Sequence, residues 1–180
     1  MRRWALASSA AAPVALVGGW TVAQTRQPAS YDATVDTISA LAARGAPDAW
    51  LMTGALAVTG VCHVLTAAGL VEAHPAGRAL LAAGGVATAL VAVFPQPSTA
   101  HFPVATAAFV ALSGWPAASD VPGRRQALLA SAGLLVLLGW LGVEIGGGSR
   151  LGLSERVLAG TQALWPLAAV LALRFGRGSR

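Results

Sequence analysis

Four side chains able to do chemistry stand at the edges of apolar segments, where folding can bring them together: Asp36, Ser39, His101 and Glu144. An acid, a hydroxyl and an imidazole suffice for base-assisted nucleophilic attack, and the two acids with His101 have the donor types to hold a divalent metal. The spacing singles out neither chemistry, because no HExxH, GxSxG, CxxC or phosphate-binding loop occurs in the chain. The four are therefore read as the lining of a candidate pocket, with no catalytic residue assigned and no cofactor or metal expected. His63, inside an apolar segment, is a functional candidate by position, but a buried, hydrogen-bonded role is the plainer reading. Cys62 is the single cysteine, which excludes an intramolecular disulfide and a cysteine metal cluster; it reads as a small buried hydrophobe.

The elements that must position these residues are membrane spans. Hydrophobic residues make up 56% of the 180 and charged ones only 11%, in blocks long enough to cross a bilayer and with no polar face to offer water. The expectation is one all-α membrane domain, residues 1–180, with six transmembrane helices over Trp4–Ala23, Ala49–Val71, Ala79–Phe94, Phe102–Ser119, Ala127–Ile145 and Val157–Leu173. The net charge of +5 comes from arginine alone, since lysine is absent. In such a chain it speaks of topology, not of a nucleic-acid partner. Arg2, Arg3, Arg78, Arg124, Arg125, Arg174, Arg177 and Arg180 fall on one side, and Arg26, Arg44, Arg150 and Arg156 on the other. That imbalance predicts both termini in the cytoplasm of a bacterial cell membrane. Trp20, Trp50 and Trp140 then mark the outer interface, and Trp4 and Trp115 the inner one. The arginine-rich ending RFGRGSR is expected against anionic headgroups. Small residues every four positions, Ala11, Ala15, Gly19 and Ala23 in one span and Gly84, Thr88 and Ala92 in another, predict close helix approach. Pro13, Pro116 and Pro166 predict kinks.

Depth decides which polar groups can meet. His63 lies 13 residues inward from Trp50, roughly 20 Å below the outer interface at about 1.5 Å per residue. His101 is at the outer surface, so the two histidines cannot share a metal. Glu144 ends its span, about 26 Å up from the inner side, level with His101 and the first outer loop.

That loop carries three of the seven carboxylates, in YDATVDTISALAARGAPDAW. Asp36 is a suitable N-cap for a short interfacial helix with Ile38, Leu41 and Ala42 on one face, stopped by Gly45 and Pro47. Asp48 is placed to cap the second span. On this reading the segment folds as a lid on the outer end of the bundle, with Ser39 and Arg44 toward water or headgroups. The loops around Gln96 to His101 and Gly146 to Arg156 lie beside it.

The stretch YDATVDTISALAARGAPDAWLMTGAL, followed some fifty residues later by VFPQPSTAHFPVATAAF, resembles the prokaryotic membrane family called domain of unknown function 998 over nearly all six spans. Asp36, Ile38, Ser39, Gly45, Pro47, Phe94, Pro95 and His101 carry the resemblance. A more distant one, to the six-helix Frag1/DRAM/Sfk1 family, rests on its I-S-D loop after the first helix; here the acid precedes Ile38 and Ser39. The first resemblance implies fold and topology and transfers no catalytic residue.

Lipid or small-ligand handling in an outward-facing pocket is the leading functional expectation, with membrane lipids as partners. A structural subunit packing on a membrane protein partner or on a second copy is the alternative. A membrane-embedded hydrolase or a transporter comes after these, the transporter disfavoured by the lack of a convincing inverted repeat.

Overall fold

The computed structural model describes residues 1–175, so Arg177 and Arg180 and most of the RFGRGSR ending lie outside the described residues. The described residues form seven helices: α1 (Trp4–Gln24), α2 (Ile38–Leu41), α3 (Ala49–Gly69), α4 (Pro75–Val93), α5 (His101–Ser119), α6 (Arg124–Ile145) and α7 (Leu151–Phe175). All but α2 are long and apolar enough to cross a membrane, as the six apolar blocks require.

Two helices start four or more residues before their apolar runs do. The fourth begins at Pro75, with His74 as N-cap accepting from the Ala76 amide; proline at a first helical position costs no hydrogen bond. The last begins at Leu151, six residues before Val157. It therefore takes Glu155 and Arg156 out of the expected loop and into a helix.

The six long helices close into a ring. Each packs on its neighbour in the order α1, α3, α4, α5, α6, α7 and back to α1. Small residues set the tight half of this ring. A Cβ on Gly60 would stand 2.4 Å from the Gly85 carbonyl oxygen, and one on Gly85 2.7 Å from that of Gly60, so α3 and α4 cross backbone to backbone. Gly19 of α1 lies against the Ala55 side chain of α3, and Gly84 of α4 against the Leu112 side chain of α5, so neither has room for a Cβ. Of the expected face on α1, Gly19 and Ala23 turn inward, but Ala11 is exposed; Ala12 and Leu16 pack inward in its place. By contrast α6 is rich in leucine and buries only Ala127, Ser131, Leu134 and Leu141. Bulky side chains keep it farther from its neighbours, which leaves space between α5, α6 and α7.

Polar side chains tie the helices together across the buried interior. The Ser8 and Thr66 hydroxyls pair at 2.8 Å between α1 and α3. Gln162 of α7 donates through Nε2 to the Phe109 carbonyl at 2.8 Å and to Ser113 Oγ at 3.0 Å. Pro13, Pro116 and Pro166 lie inside α1, α5 and α7. Just after Pro116, the Ala117 amide finds Ser131 Oγ on α6 at 2.9 Å, a neighbour's hydroxyl in place of a helical carbonyl. Arg78 reaches back from α4 to the end of α3, donating Nε to the Ala67 carbonyl at 2.8 Å. Trp115, expected at an interface, is instead fully buried among Leu70, Leu81 and Leu112.

Candidate functional site

The lid is built locally and held from a distance. Thr37, and not Asp36, is the N-cap of α2: its hydroxyl oxygen accepts from the Ala40 amide at 3.0 Å. Asp36 looks back into its own turn, where Oδ2 accepts from the Asp32 amide at 2.8 Å. Four residues cannot sustain a helix alone. What holds α2 is burial of Ile38, Leu41 and Ala42 against Leu16, Met52 and Ala55, at the mouth of the ring. Asp48 precedes α3 in a left-handed conformation (φ 49°) and makes no side-chain cap; its Oδ1 accepts from Trp50 Nε1 at 3.3 Å.

The second hold comes from the start of α7. Glu155 accepts the Ile38 amide on Oε2 and the Ser39 hydroxyl, at 3.0 Å, on Oε1. One carboxylate thus satisfies a free amide of α2 and turns Ser39 inward, buried, not toward water as expected. One residue on, Arg156 gathers the preceding loop. Its Nη1 donates to the carbonyls of Ala33 at 2.8 Å, Asp36 at 2.7 Å and Gly152 at 3.0 Å, and its Nη2 to the Tyr31 hydroxyl. Loop carbonyls in turn take the first amides of α7: Gly152 to Val35 at 3.1 Å and Leu153 to Thr34 at 2.9 Å. A Cβ at 152 would stand 2.3 Å from the Asp36 carbonyl oxygen, so only glycine lets the loop lie this close. Burial pushes the Tyr31 phenol above its ordinary value, against the opposing pull of Arg156.

Ser39 and Glu155, with Ala105 and Phe109, line both of two adjoining cavities. On the inner side a chamber of about 60 Å³ in the middle of the ring is lined by Thr59, His63, Thr88 and Gln162, with room for a few waters at about 10–15 Å³ each. His63 is buried, and its Nδ1 has no hydrogen-bond partner among the described residues. On the other side a groove of about 490 Å³ opens between α5, α6 and α7. Phe102, Phe109 and Val110, Leu138 and Leu141, and Leu151 make most of its walls. Thr37, Ser39, Gln96, His101 and Glu155 close its end beside α2. From His101 to Phe109 the groove descends eight residues of α5, about 12 Å. Phe102 and Val110 are 62% and 52% exposed, so its mouth lies on the flank of the bundle.

Of the four pocket residues expected from sequence, Ser39 and His101 share this groove. His101 is buried at the first position of α5 with Nδ1 2.9 Å from the Phe94 carbonyl oxygen. A carbonyl only accepts, so Nδ1 carries a proton, and in the neutral ring Nε2 is the acceptor. Asp36 and Glu144 do not line the groove. Glu144 closes its own helix end, accepting Trp140 Nε1 at 3.0 Å and the Arg150 amide at 2.7 Å. No three His, Cys, Asp or Glu side chains come together to hold a metal among the described residues, so the two acids and His101 do not form the divalent site that their types allow. The acid of the site is Glu155, which the sequence reading passed over as part of a polar loop. One signal pointed to it: an ionisable residue two positions before the last apolar run, flanked by Leu151, Leu153, Val157 and Leu158.

Six membrane-crossing helices with a polar-ended groove among them define an integral membrane protein. Within that class the chain belongs to the family described as Protein of unknown function (DUF998), whose model matches residues 9–172. No curated protein and no solved structure matches it.

Proposed function

We propose that this protein binds an amphipathic lipid-like ligand in the groove between α5, α6 and α7, chain against Phe109 and Leu138 and head at Ser39, His101 and Glu155. The observation that carries the reading is the groove itself: about 490 Å³, within the range of ligand pockets, apolar along its length and polar at one end. Its mouth on the flank of the bundle suits entry from a bilayer. The arginine distribution supports placing the α2 end on the outer side of a bacterial cytoplasmic membrane, with both termini inside.

Gly142 provides the test. It lines the groove, and a Cβ there meets nothing within 4 Å, so Gly142→Trp can place a bulky ring in the space from an unobstructed backbone position. Native mass spectrometry of protein extracted with its surrounding lipid should find a bound amphiphile in the wild type and its loss in Gly142→Trp. The same adducts on both proteins, or none on the wild type, would sink the reading.

A further inference from the structure

We infer that the head of the groove's ligand is a cationic amine. This rests on the groove reading and adds to it the chemistry of the head. Glu155 is the sole Asp, Glu or Arg among the residues that line the groove, and it is 6% exposed. Its oxygens accept Ser39 Oγ and the Ile38 amide, and the Ser39 amide also points at the carboxylate, so three donors leave room for one more on a group with about four acceptor sites. The neighbouring Arg156 attracts the carboxylate through its charge but makes no hydrogen bond to it: its Nη atoms are directed to Tyr31 and to three backbone carbonyls, and its buried Nε has no partner among the described residues. His101 adds a second acceptor at the same end, Nε2 of the neutral ring, since Nδ1 is committed to the Phe94 carbonyl. The remaining lining polar groups, Thr37, Ser39, Gln96 and Thr106, are neutral. A carboxylate and an imidazole nitrogen with no cation among the lining residues repel a phosphate or carboxylate head and complement an ammonium, which brings three donors and the opposite charge. Desolvation sharpens the choice: a buried carboxylate gains most from a partner that carries charge.

The test uses three probes with the same chain: oleylamine, oleyl alcohol and oleate, titrated into the full-length protein in dodecyl maltoside while its unfolding temperature is followed. The expected result is that oleylamine reaches its half-maximal effect at about a tenfold lower concentration than oleyl alcohol, with oleate weakest, since charge-assisted hydrogen bonds are about twice as strong as neutral ones. All three effects should vanish in Gly142→Trp. Equal effects of the three probes in the wild type, lost in Gly142→Trp, overturn the amine head and leave the groove reading standing. An amine preference that survives in Gly142→Trp places the effect on the micelle and overturns the inference. No effect from any probe overturns the inference and the groove reading together. Glu155→Gln should bind oleyl alcohol but lose the preference; a preference kept in folded Glu155→Gln overturns the assignment to Glu155. Should that variant not fold, the wild-type and Gly142→Trp titrations still decide. Phosphatidylethanolamine and phosphatidylglycerol, tested beside the single-chain probes, identify the source. Preference for the first assigns the amine to a bilayer lipid, and preference for oleylamine alone assigns it to a free amphiphile; either supports the inference.

Discussion

Glu155→Gln is the substitution that asks most of the reasoning. The carboxylate holds two donors of the lid, the Ile38 amide and the Ser39 hydroxyl, with Ile38 3% and Ser39 8% exposed. A glutamine of the same shape keeps one carbonyl oxygen and turns an NH₂ toward the other donor, so one bond is lost. A hydrogen bond to a charged group contributes about 1.5–3 kcal/mol. With little water to replace it, the lid should open more readily by that amount. At about 1.4 kcal/mol per factor of ten, this predicts roughly 10- to 150-fold faster hydrogen exchange. The amides to read are Ala40, bonded to Thr37 Oγ1, and Ala42, bonded to the Ser39 carbonyl, because both report α2 and neither touches Glu155. Amides in the middle of α3 serve as the control and should not change. If Ala40 and Ala42 exchange within about threefold of the wild type, Glu155 is not what holds α2, and apolar burial of Ile38 and Leu41 suffices.

Arg156→Met removes all the bonds that gather the loop at Tyr31, Ala33 and Asp36, and should raise protease cleavage between residues 26 and 36 by about tenfold or more; unchanged cleavage would show that the amides of Gly152 and Leu153 hold the loop unaided. Gly60→Ala sets a Cβ 2.4 Å and 2.6 Å from backbone atoms of Gly85 and Ala89, so reversible unfolding in mixed detergent should show a loss of about 1–3 kcal/mol, while Gly133→Ala, with nothing within 4 Å, should be neutral or gain up to about 1 kcal/mol. The Tyr31 phenol, raised above its ordinary 10.0 by burial, binds its proton more tightly folded than unfolded. Its contribution is intact below pH 10 and falls as the pH climbs past that value, so protection of the 31–36 loop should drop above about pH 10 in the wild type and much less in Tyr31→Phe.

The sequence by itself determined the spans, because a bilayer demands apolar runs of a set length and few other structures meet that demand. It also determined the lid helix, since Ile38, Leu41 and Ala42 share a face that must be buried, and it placed Ser39 and His101 at one end of the bundle. The cap within the lid fell one residue away, on Thr37, because an Asp36 side chain serves equally well in the turn before it. Only the tertiary structure decided the partner of Ser39. Glu155 and Arg156 break the apolar run of the last span, and read in one dimension such a pair marks a loop. In three dimensions the carbonyls of residues 33–36 cover the start of α7, accept its free amides and the Arg156 guanidinium, and so carry the helix back to Leu151. A buried carboxylate is stable where its donors come from another part of the chain, here 116 and 117 residues away. Spacing along the chain cannot encode that pairing, nor that the glycines of α6, Gly133, Gly139 and Gly142, meet no neighbour while Gly60, Gly84 and Gly85 of α3 and α4 lie against one, which leaves the groove beside α6.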